Sequence, residues 1–242
     1  MSKGEKTRQR IVAEAAALFN QRGFEGGSMT DLMEATGLEK GGIYRHFSSK
    51  EELAAEAFDY AWRLATQVRV HDLDSVPNSI EKLKRFIANF FECRPAIPGG
   101  CPLLKTAVDT NGSNSVLRER ARQALRQWQD ILSEIITAGI ERNEIRSDIA
   151  PGKLATFIIG SLEGAMMISM LERDRTPMRE ARSHLERYLE DQISRSTQQS
   201  AISTPPVQQF GAVSTGILPS QDGKSKESRK AGVKRQKGNQ TR

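Results

Sequence analysis

The sequence predicts an all-α protein, and three observations lead to that prediction. Apolar residues recur every three or four positions through most of the first 194 residues, the interval that aligns side chains along one face of a helix. Glycine, proline and polar cap residues divide these segments into helix-sized lengths. No segment alternates apolar and polar residues between regularly spaced turns, which is the pattern of half-buried strands.

The composition bounds the class of protein. The chain has 242 residues, enough for one or two domains. No apolar run approaches about 18 residues, so we expect no membrane span. The N-terminus lacks the apolar core of a signal peptide, so we expect a cytoplasmic protein. The two cysteines do not form a zinc-binding pair, and we expect neither a metal nor a cofactor.

The positive charge is concentrated near the C-terminus. Residues 195–242 contain nine basic and two acidic side chains, a net charge of +7, whereas the whole chain carries +6. The basic charge therefore does not by itself indicate that the first 194 residues bind nucleic acid. Ser, Gln, Gly and Lys dominate this tail without a helical period, so we predict that it is disordered. It either adds non-specific phosphate contacts or is a solvated tail without a role.

The first helix is predicted over residues 4–22. Ile11, Ala15 and Phe19 lie four residues apart and form one inward stripe. Gly23 follows where the helix is expected to end.

Residues 28–47, with the sequence SMTDLMEATGLEKGGIYRHF, predict two short helices joined by a tight corner. Ser28 is a favourable N-cap for the first of them. Asp31 occupies the acidic position of a capping box, three residues later. Gly37 stands where a helix ends with a left-handed residue.

The second helix of this pair is predicted over residues 39–47. Ile43 and Phe47 lie four apart and face inward, so the residues around them face solvent. Gly41 and Gly42 are poor helix formers, but without side chains they let a helix N-terminus approach DNA closely. The pair predicts a helix-turn-helix. On pattern alone, an αα-corner in another kind of helical domain is the alternative.

A long ordered series of residues extends from the first helix to the start of the fourth. Its members are Arg10, Ile11, Ala15, Leu18, Phe19, Gly23, Phe24, Gly37, Tyr44, Phe47, Lys50, Glu51 and Leu53. With this series, residues 7–53 resemble the N-terminal DNA-binding domain of the TetR family of transcriptional regulators. Met33 stands where the family usually has a small residue. Glu39 stands where it often has Ser or Thr, and it brings a negative charge close to the DNA.

The resemblance and the outward face of the helix pair together identify nine candidate DNA-contacting residues. Arg45 is expected to pair with a guanine edge, and Lys40 and His46 are further candidates for base edges. The alternative for His46 is a surface imidazole packed on a neighbouring helix. The other donors in the set are suited to phosphate. The full set is Ser28, Thr30, Lys40, Gly41, Gly42, Tyr44, Arg45, His46 and Lys50.

Helical periodicity continues from residue 49 to residue 194, interrupted by prolines and glycines at 95–100. Residues 153–172 are apolar on most sides and, with residues 177–194, resemble the paired dimer helices of the TetR family. The resemblance implies a homodimer that presents two recognition helices to a palindromic operator. The alternative is a monomeric helical core.

We therefore predict three parts. A helix-turn-helix DNA-binding domain spans residues 1–48, a helical effector-binding and dimerisation domain spans residues 49–194, and the disordered basic tail spans residues 195–242. The resemblance implies that an unidentified small-molecule effector binds inside the second part and releases double-stranded DNA. Candidate pocket residues, each of which is otherwise plain core, are Trp62, Phe90, Phe91, Cys101, Leu104, Trp128, Met166, Met167 and Met170.

Cys101 is a distinct candidate within this set. It is predicted near a helix N-terminus, where the thiolate is favoured and the pKa falls, and Lys105 lies four residues on. The hypothesis is an electrophile or redox sensor. The alternatives are a buried, inert thiol or a disulfide with Cys93.

The sequence contains none of the usual motifs of an enzyme. It has no nucleophile elbow, no phosphate-cradling glycine loop after a strand and no HExxH, so we expect no catalysis. An architectural DNA binder led by the basic tail is the other alternative. It predicts binding that is nearly blind to sequence, whereas a regulator predicts a discrete site.

Overall fold

The computed structural model describes residues 2–92, 97–109 and 114–195. Over this part of the chain it is helical, without a strand, so the all-α prediction is confirmed. The predicted tail lies outside the described residues apart from Arg195. The helices are α1 (Lys3–Arg22), α2 (Met29–Thr36), α3 (Lys40–Tyr44), α4 (Lys50–Arg69), α5 (Ser79–Glu92), α6 (Pro102–Asp109), α7 (Ser115–Glu141), α8 (Pro151–Glu172) and α9 (Thr176–Tyr188).

The caps of α1 and α2 follow from the local sequence. Ser28 and Asp31 form the predicted capping box at the start of α2, and Gly37 ends that helix with a left-handed φ of 64°. Gly23 ends α1 with a φ of 80°. Positive φ favours glycine because a side chain there would crowd the backbone.

Helix α3 is shorter than the predicted span of residues 39–47. It covers five residues. A tighter turn follows, in which the amide of His46 donates to the carbonyl of Ile43, three residues earlier, at 2.9 Å. Glu39, at the N-cap, makes no side-chain hydrogen bond to the helix. With Gly41 and Gly42 in its first turn, the helix has little intrinsic preference to extend, so its position depends on the packing of Ile43 and Phe47.

Helix α4 connects two hydrophobic cores. One of its faces contributes Leu53, Ala57 and Ala61 to the core of α1–α3. The adjacent face contributes Phe58 and Trp62 to the core of α5–α9. Side chains four residues apart share a helical face, so two neighbouring stripes place one rigid helix in both cores.

The two cores also exchange residues outside α4. Phe24, after α1, belongs to the core of α5–α9, and Ile97, before α6, belongs to the core of α1–α3. The boundary at residues 48 and 49 stays a prediction. Any movement of α1–α3 relative to α5–α9 therefore changes the packing at α4, Phe24 and Ile97.

Helix α8 is apolar on both its inner and outer faces. Its 22 residues are long and apolar enough for a membrane span by length and composition alone, contrary to our sequence expectation. The core helix of a soluble protein passes the same test. Here Leu154, Ile158 and Leu162 pack in the core, while Phe157 and Leu171 remain exposed.

Candidate DNA-binding surface and inner cleft

The helix-turn-helix presents a row of polar side chains to solvent. Ile43 and Phe47 are buried in the core of α1–α3, which turns Lys40, Tyr44 and Arg45 outward as predicted. No hydrogen bond or ion pair to another described residue engages the side chains of Lys40 and Arg45, although the Lys40 ammonium lies 5.8 Å from the Tyr44 ring centroid. Exposed donors without internal partners are available for an external acceptor.

The two glycines of α3 differ in their surroundings. A Cβ added at Gly41 would meet no atom within 4 Å, whereas one at Gly42 would lie 3.6 Å from the Cβ of Leu38. Gly41 therefore faces open space, and it is the glycine that allows close approach by a partner. His46 is half-buried, and Thr30 is exposed at the start of α2.

Two predicted phosphate contacts are already engaged within the protein. The Ser28 hydroxyl accepts from the Asp31 amide at 3.1 Å and donates to the Asp31 carboxylate at 2.5 Å. The Lys50 ammonium donates to the Phe24 carbonyl at 2.7 Å and lies 4.3 Å from the Phe24 ring centroid. Lys50 therefore ties α4 to the end of α1, and a phosphate would have to displace that contact.

Basic residues of α1 also serve the fold. Arg10 donates to the Thr36 carbonyl at 2.8 Å and so holds the C-terminus of α2. Arg8 pairs with Glu56 of α4 and covers the Phe47 ring at 4.6 Å. The Glu56 contact is the main cause that raises the pKa of Arg8.

A cleft of about 60 Å³, which we call the inner cleft, lies between α4, α5, α6 and α8. Three of the predicted pocket residues line it, namely Phe90, Cys101 and Met166. Sequence reasoning missed its polar members, Arg69 and Asn89. The complete lining is Ala61, Ala65, Val68, Arg69, Asn89, Phe90, Ile97, Gly100, Cys101, Pro102 and Met166.

The other predicted pocket residues lie outside this lining. Phe91 is buried and packs edge-to-face on Phe90, and Leu104 packs against the surrounding core. Met167 and Met170 are each 48% exposed on α8, so neither is enclosed in the inner cleft. Because α8 is apolar on two faces, the sequence pattern does not distinguish Met166, which lines the cleft, from the exposed Met167 and Met170.

Arg69 is the charged residue in the lining of the inner cleft. Its side chain is buried, and its guanidinium carbon lies 4.2 Å from the ring centroid of Trp128, 4.9 Å from that of Trp62 and 5.1 Å from that of Phe90. Trp62 and Trp128, two further predicted pocket residues, therefore both pack against the Arg69 guanidinium. Nη2 of Arg69 donates to the sulfur of Cys101 at 3.0 Å, whereas Nη1 has no partner.

Cys101 does not have the lowered pKa that its position suggested. The thiol is buried, and burial raises the pKa of Cys101 to about 12 because a thiolate would lose its solvation there, although Arg69 opposes the shift. Burial outweighs the helix N-terminus, so the prediction of an activated thiolate is wrong. The disulfide with Cys93 lies outside the described residues, which do not include Cys93.

Glu163 is a second ionisable residue that sequence reasoning missed; the residue is half-buried, and its carboxylate oxygens are buried. Burial raises the pKa of Glu163, while the Cys101 thiol and the charge of Arg69 act in the opposite direction. Both carboxylate oxygens lack a hydrogen-bond partner by distance and angle. A signal was present, because Glu163 is the one charged residue between Lys153 and Glu172.

A short segment, residues 97–101, connects the inner cleft to α1; we call it the bridging loop. The side-chain amide of Asn20 donates to the carbonyls of Pro98 at 2.9 Å and Gly100 at 3.1 Å. A Cβ at Gly99, whose φ is 111°, would collide with the Asn20 backbone. Ile97, Gly100 and Cys101 also line the inner cleft, so one loop touches both the cleft and α1.

Comparison with known proteins agrees with this architecture. Residues 11–57 match the family model of bacterial regulatory proteins of the tetR family, and residues 79–185 match the tetracyclin repressor-like C-terminal domain. The repressor DhaR of Mycobacterium sp. strain GP1 is 29% identical over 174 residues, 71% of this chain and 86% of that protein.

Solved structures agree over a longer span. A TetR transcriptional regulator from Chloroflexus aurantiacus is 41% identical, with a TM-score of 0.77, and covers 80% of this chain and 99% of its own. A TetR-family regulator from Cytophaga hutchinsonii is 34% identical, with a TM-score of 0.75, over 80% and 98% of the two chains. With its helix-turn-helix head and helical C-terminal part, this chain belongs to the TetR family of DNA-binding transcriptional regulators.

Proposed function

We propose that this protein is a cytoplasmic repressor that binds a palindromic operator as a homodimer and is released by a small molecule in the inner cleft. The observation that carries the proposal is the bridging loop, because it contacts α1 and lines the inner cleft. A ligand that moves this loop acts directly on the DNA-binding head. Coupling of this kind needs only that the ligand bind two arrangements of the loop with different affinity.

DNA recognition is assigned to the outward face of α3. Arg45 presents a planar fork of donors that matches the two acceptors of guanine. Lys40 and Tyr44 of α3 and Thr30 of α2 are also exposed, and Gly41 leaves room for the sugar–phosphate backbone. Ser28 and Lys50 are given the lesser role of stabilising the head, since their polar groups are engaged internally.

The outer face of α8 supports a homodimer. Phe157, Met167, Ile168 and Leu171 are between 45% and 76% exposed, and Tyr188 of α9 lies against Phe157 with ring centroids 5.3 Å apart. An apolar face of this kind on two adjacent helices is suited to burial against a second copy. A twofold axis there presents two α3 helices to two half-sites.

The oligomeric state is tested by sedimentation at micromolar concentration. We expect a dimer for the wild type and dissociation for Phe157→Glu, because a carboxylate cannot be buried unpaired in an apolar contact. Gln67→Glu, at an exposed position of α4, introduces the same carboxylate outside the proposed interface; it is the matched control and should remain dimeric. A monomeric wild type would overturn the dimer.

The function is tested by selecting DNA from a random pool with the full chain at physiological salt. Enrichment of one inverted repeat is the expected result. Binding without enrichment would instead support the non-specific architectural binder led by the basic residues of the tail, which reads charge rather than bases.

A further inference from the structure

We infer that the inner cleft recognises the carboxylate of a small organic acid, with Arg69 as the residue that binds it. The inference rests on the proposed function, in which this cleft is the effector site, and it adds the chemical class of the effector. The ligand would place its carboxylate on the Nη1 side of Arg69 and its apolar body along the cleft wall.

The charge of Arg69 is not neutralised within the described part of the protein. The side chain is 6% exposed, and no carboxylate of the described residues lies within ion-pairing distance of it. Three aromatic rings surround the guanidinium and give partial compensation. A guanidinium carries its five N–H donors in its plane, and here one edge reaches a weak sulfur acceptor while Nη1 reaches none.

The groups packed near Arg69 do not neutralise its charge. The indole Nε1 of Trp128 is buried and also lacks a partner. The Cys101 thiol stays protonated at neutral pH because burial raises its pKa, so it brings no negative charge to Arg69. Burial also raises the pKa of Glu163, so its carboxyl is less able to neutralise Arg69. A buried donor without an acceptor destabilises a protein, and a carboxylate supplies several acceptor sites at once.

The shape and lining of the inner cleft suit a small organic acid. Away from Arg69 and Asn89, the wall is apolar, with Ala61, Ala65 and Val68 on one side and Met166 on the other. A volume of about 60 Å³ corresponds to roughly four or five water-sized sites. A short aliphatic acid matches this combination of one polar end and a small apolar body.

A cationic ligand is the competing chemistry. It would have to displace Arg69 from between Trp62, Phe90 and Trp128 and pair with Glu163 instead. Arg69 already occupies the aromatic surround, so we assign the site to an anion and treat the cation as an outcome of the test.

The test uses the fluorescence of the full-length protein, because both of its tryptophans contact Arg69. Three probes share a four-carbon chain and differ in the polar end: butyrate, butylammonium and butan-1-ol. At constant ionic strength, we expect saturable titration with butyrate at an affinity at least tenfold above that of the other two.

Variants assign the preference to the residue. Arg69→Gln should abolish the preference for butyrate, and Glu163→Gln should preserve or increase it. Arg63→Gln, an exposed arginine on the same helix, is the matched control and should behave as the wild type. If Arg69→Gln does not fold, Arg69→Lys serves instead, with an expected loss of at least threefold because an ammonium lacks the planar fork.

Several outcomes would overturn the inference. Preference for butylammonium that disappears in Glu163→Gln would identify a cation site. Equal binding of the three probes, or no binding of any, would show that the cleft does not read a carboxylate. Because the titration contains no DNA, a negative result does not bear on whether the protein selects an operator. Butyrate binding without any enriched operator would instead contradict the proposed function alone.

Discussion

The DNA-binding head, α1–α3, and the C-terminal part, α4–α9, differ in whether their buried polar groups have hydrogen-bond partners. In α1–α3, the buried polar side chains of Asn20 and Thr36 have partners: the Thr36 hydroxyl donates to the Leu32 carbonyl, and the Asn20 amide donates to the Pro98 and Gly100 carbonyls. In α4–α9, buried atoms of Arg69, Glu163 and Trp128 have none.

This difference separates two tasks within one chain. A surface that must dock on DNA benefits from rigid supports and free external donors. A site that must respond to a ligand benefits from internal groups that the ligand completes, because only differential binding can shift a conformational equilibrium. The four predictions below test this contrast, from the largest expected effect to the smallest.

The largest effect is expected for the reactivity of Cys101. In a Cys93→Ser background, alkylation by iodoacetamide at pH 8 should be about a thousandfold slower than for a free cysteine, because a pKa of about 12 leaves almost no thiolate. The same protein unfolded in urea is the control and should react at the ordinary rate. A native rate close to that control would restore the sensor hypothesis.

Arg45 should carry base discrimination. Arg45→Ala is expected to weaken binding to the selected operator by about 1–3 kcal/mol, roughly 10- to 100-fold, and to relax the preference at one base pair. Tyr44→Ala should weaken binding to all sequences alike if it contacts phosphate. Competition assays on operator and random DNA separate the two. Equal losses on both DNAs for Arg45→Ala would remove its base-reading role.

Glu163 should make the C-terminal part less stable as pH rises. Its pKa is raised in the folded state, so folding favours the protonated form. The associated stability is complete below the ordinary glutamate pKa and is lost as pH rises through the folded pKa. The Glu163→Gln variant does not lose stability in this way. Its free energy of unfolding at pH 8 should therefore exceed that of the wild type by about 1–2 kcal/mol.

Urea denaturation of both proteins between pH 4 and pH 8 measures that prediction. The difference in free energy of unfolding should be small at pH 4 and grow toward pH 8, while the other titrating groups cancel between the two proteins. Glu172→Gln, an exposed glutamate at the end of the same helix, is the control. A difference that does not change with pH would contradict the prediction.

Ser28 should act as a helix cap more than as a phosphate ligand. Ser28→Ala is expected to lower the free energy of unfolding by about 1 kcal/mol, because its hydroxyl is engaged by Asp31. Thr30→Ala, at an exposed position two residues later, should change stability little. Urea denaturation measures the change in stability. Operator titration measures the change in DNA affinity for both variants. A larger loss of affinity for Ser28→Ala than for Thr30→Ala would favour a direct contact of Ser28 with DNA.

Local sequence determined the fold and the outward face of the head. Helical periodicity, the Ser28–Asp31 capping box and the turn at Gly37 act within a few residues of each other, so they can be recognised without knowing the rest of the chain. The same local argument turned Lys40, Tyr44 and Arg45 outward once Ile43 and Phe47 were taken as core. It overestimated α3, whose glycines leave its length to tertiary packing.

Only the tertiary structure decided the chemistry of the inner cleft. Arg69 and Cys101 are 32 residues apart along the chain, and Glu163 comes from yet another helix. The pKa of Cys101 depends on burial by these distant segments, which overrides the local effect of a helix N-terminus. The internal contact of Lys50 with the Phe24 carbonyl and the exposure of Met167 likewise depend on segments that are distant in sequence. Electrostatic environment is a sum over everything nearby in space, and periodicity in sequence describes only which face of a helix a residue occupies.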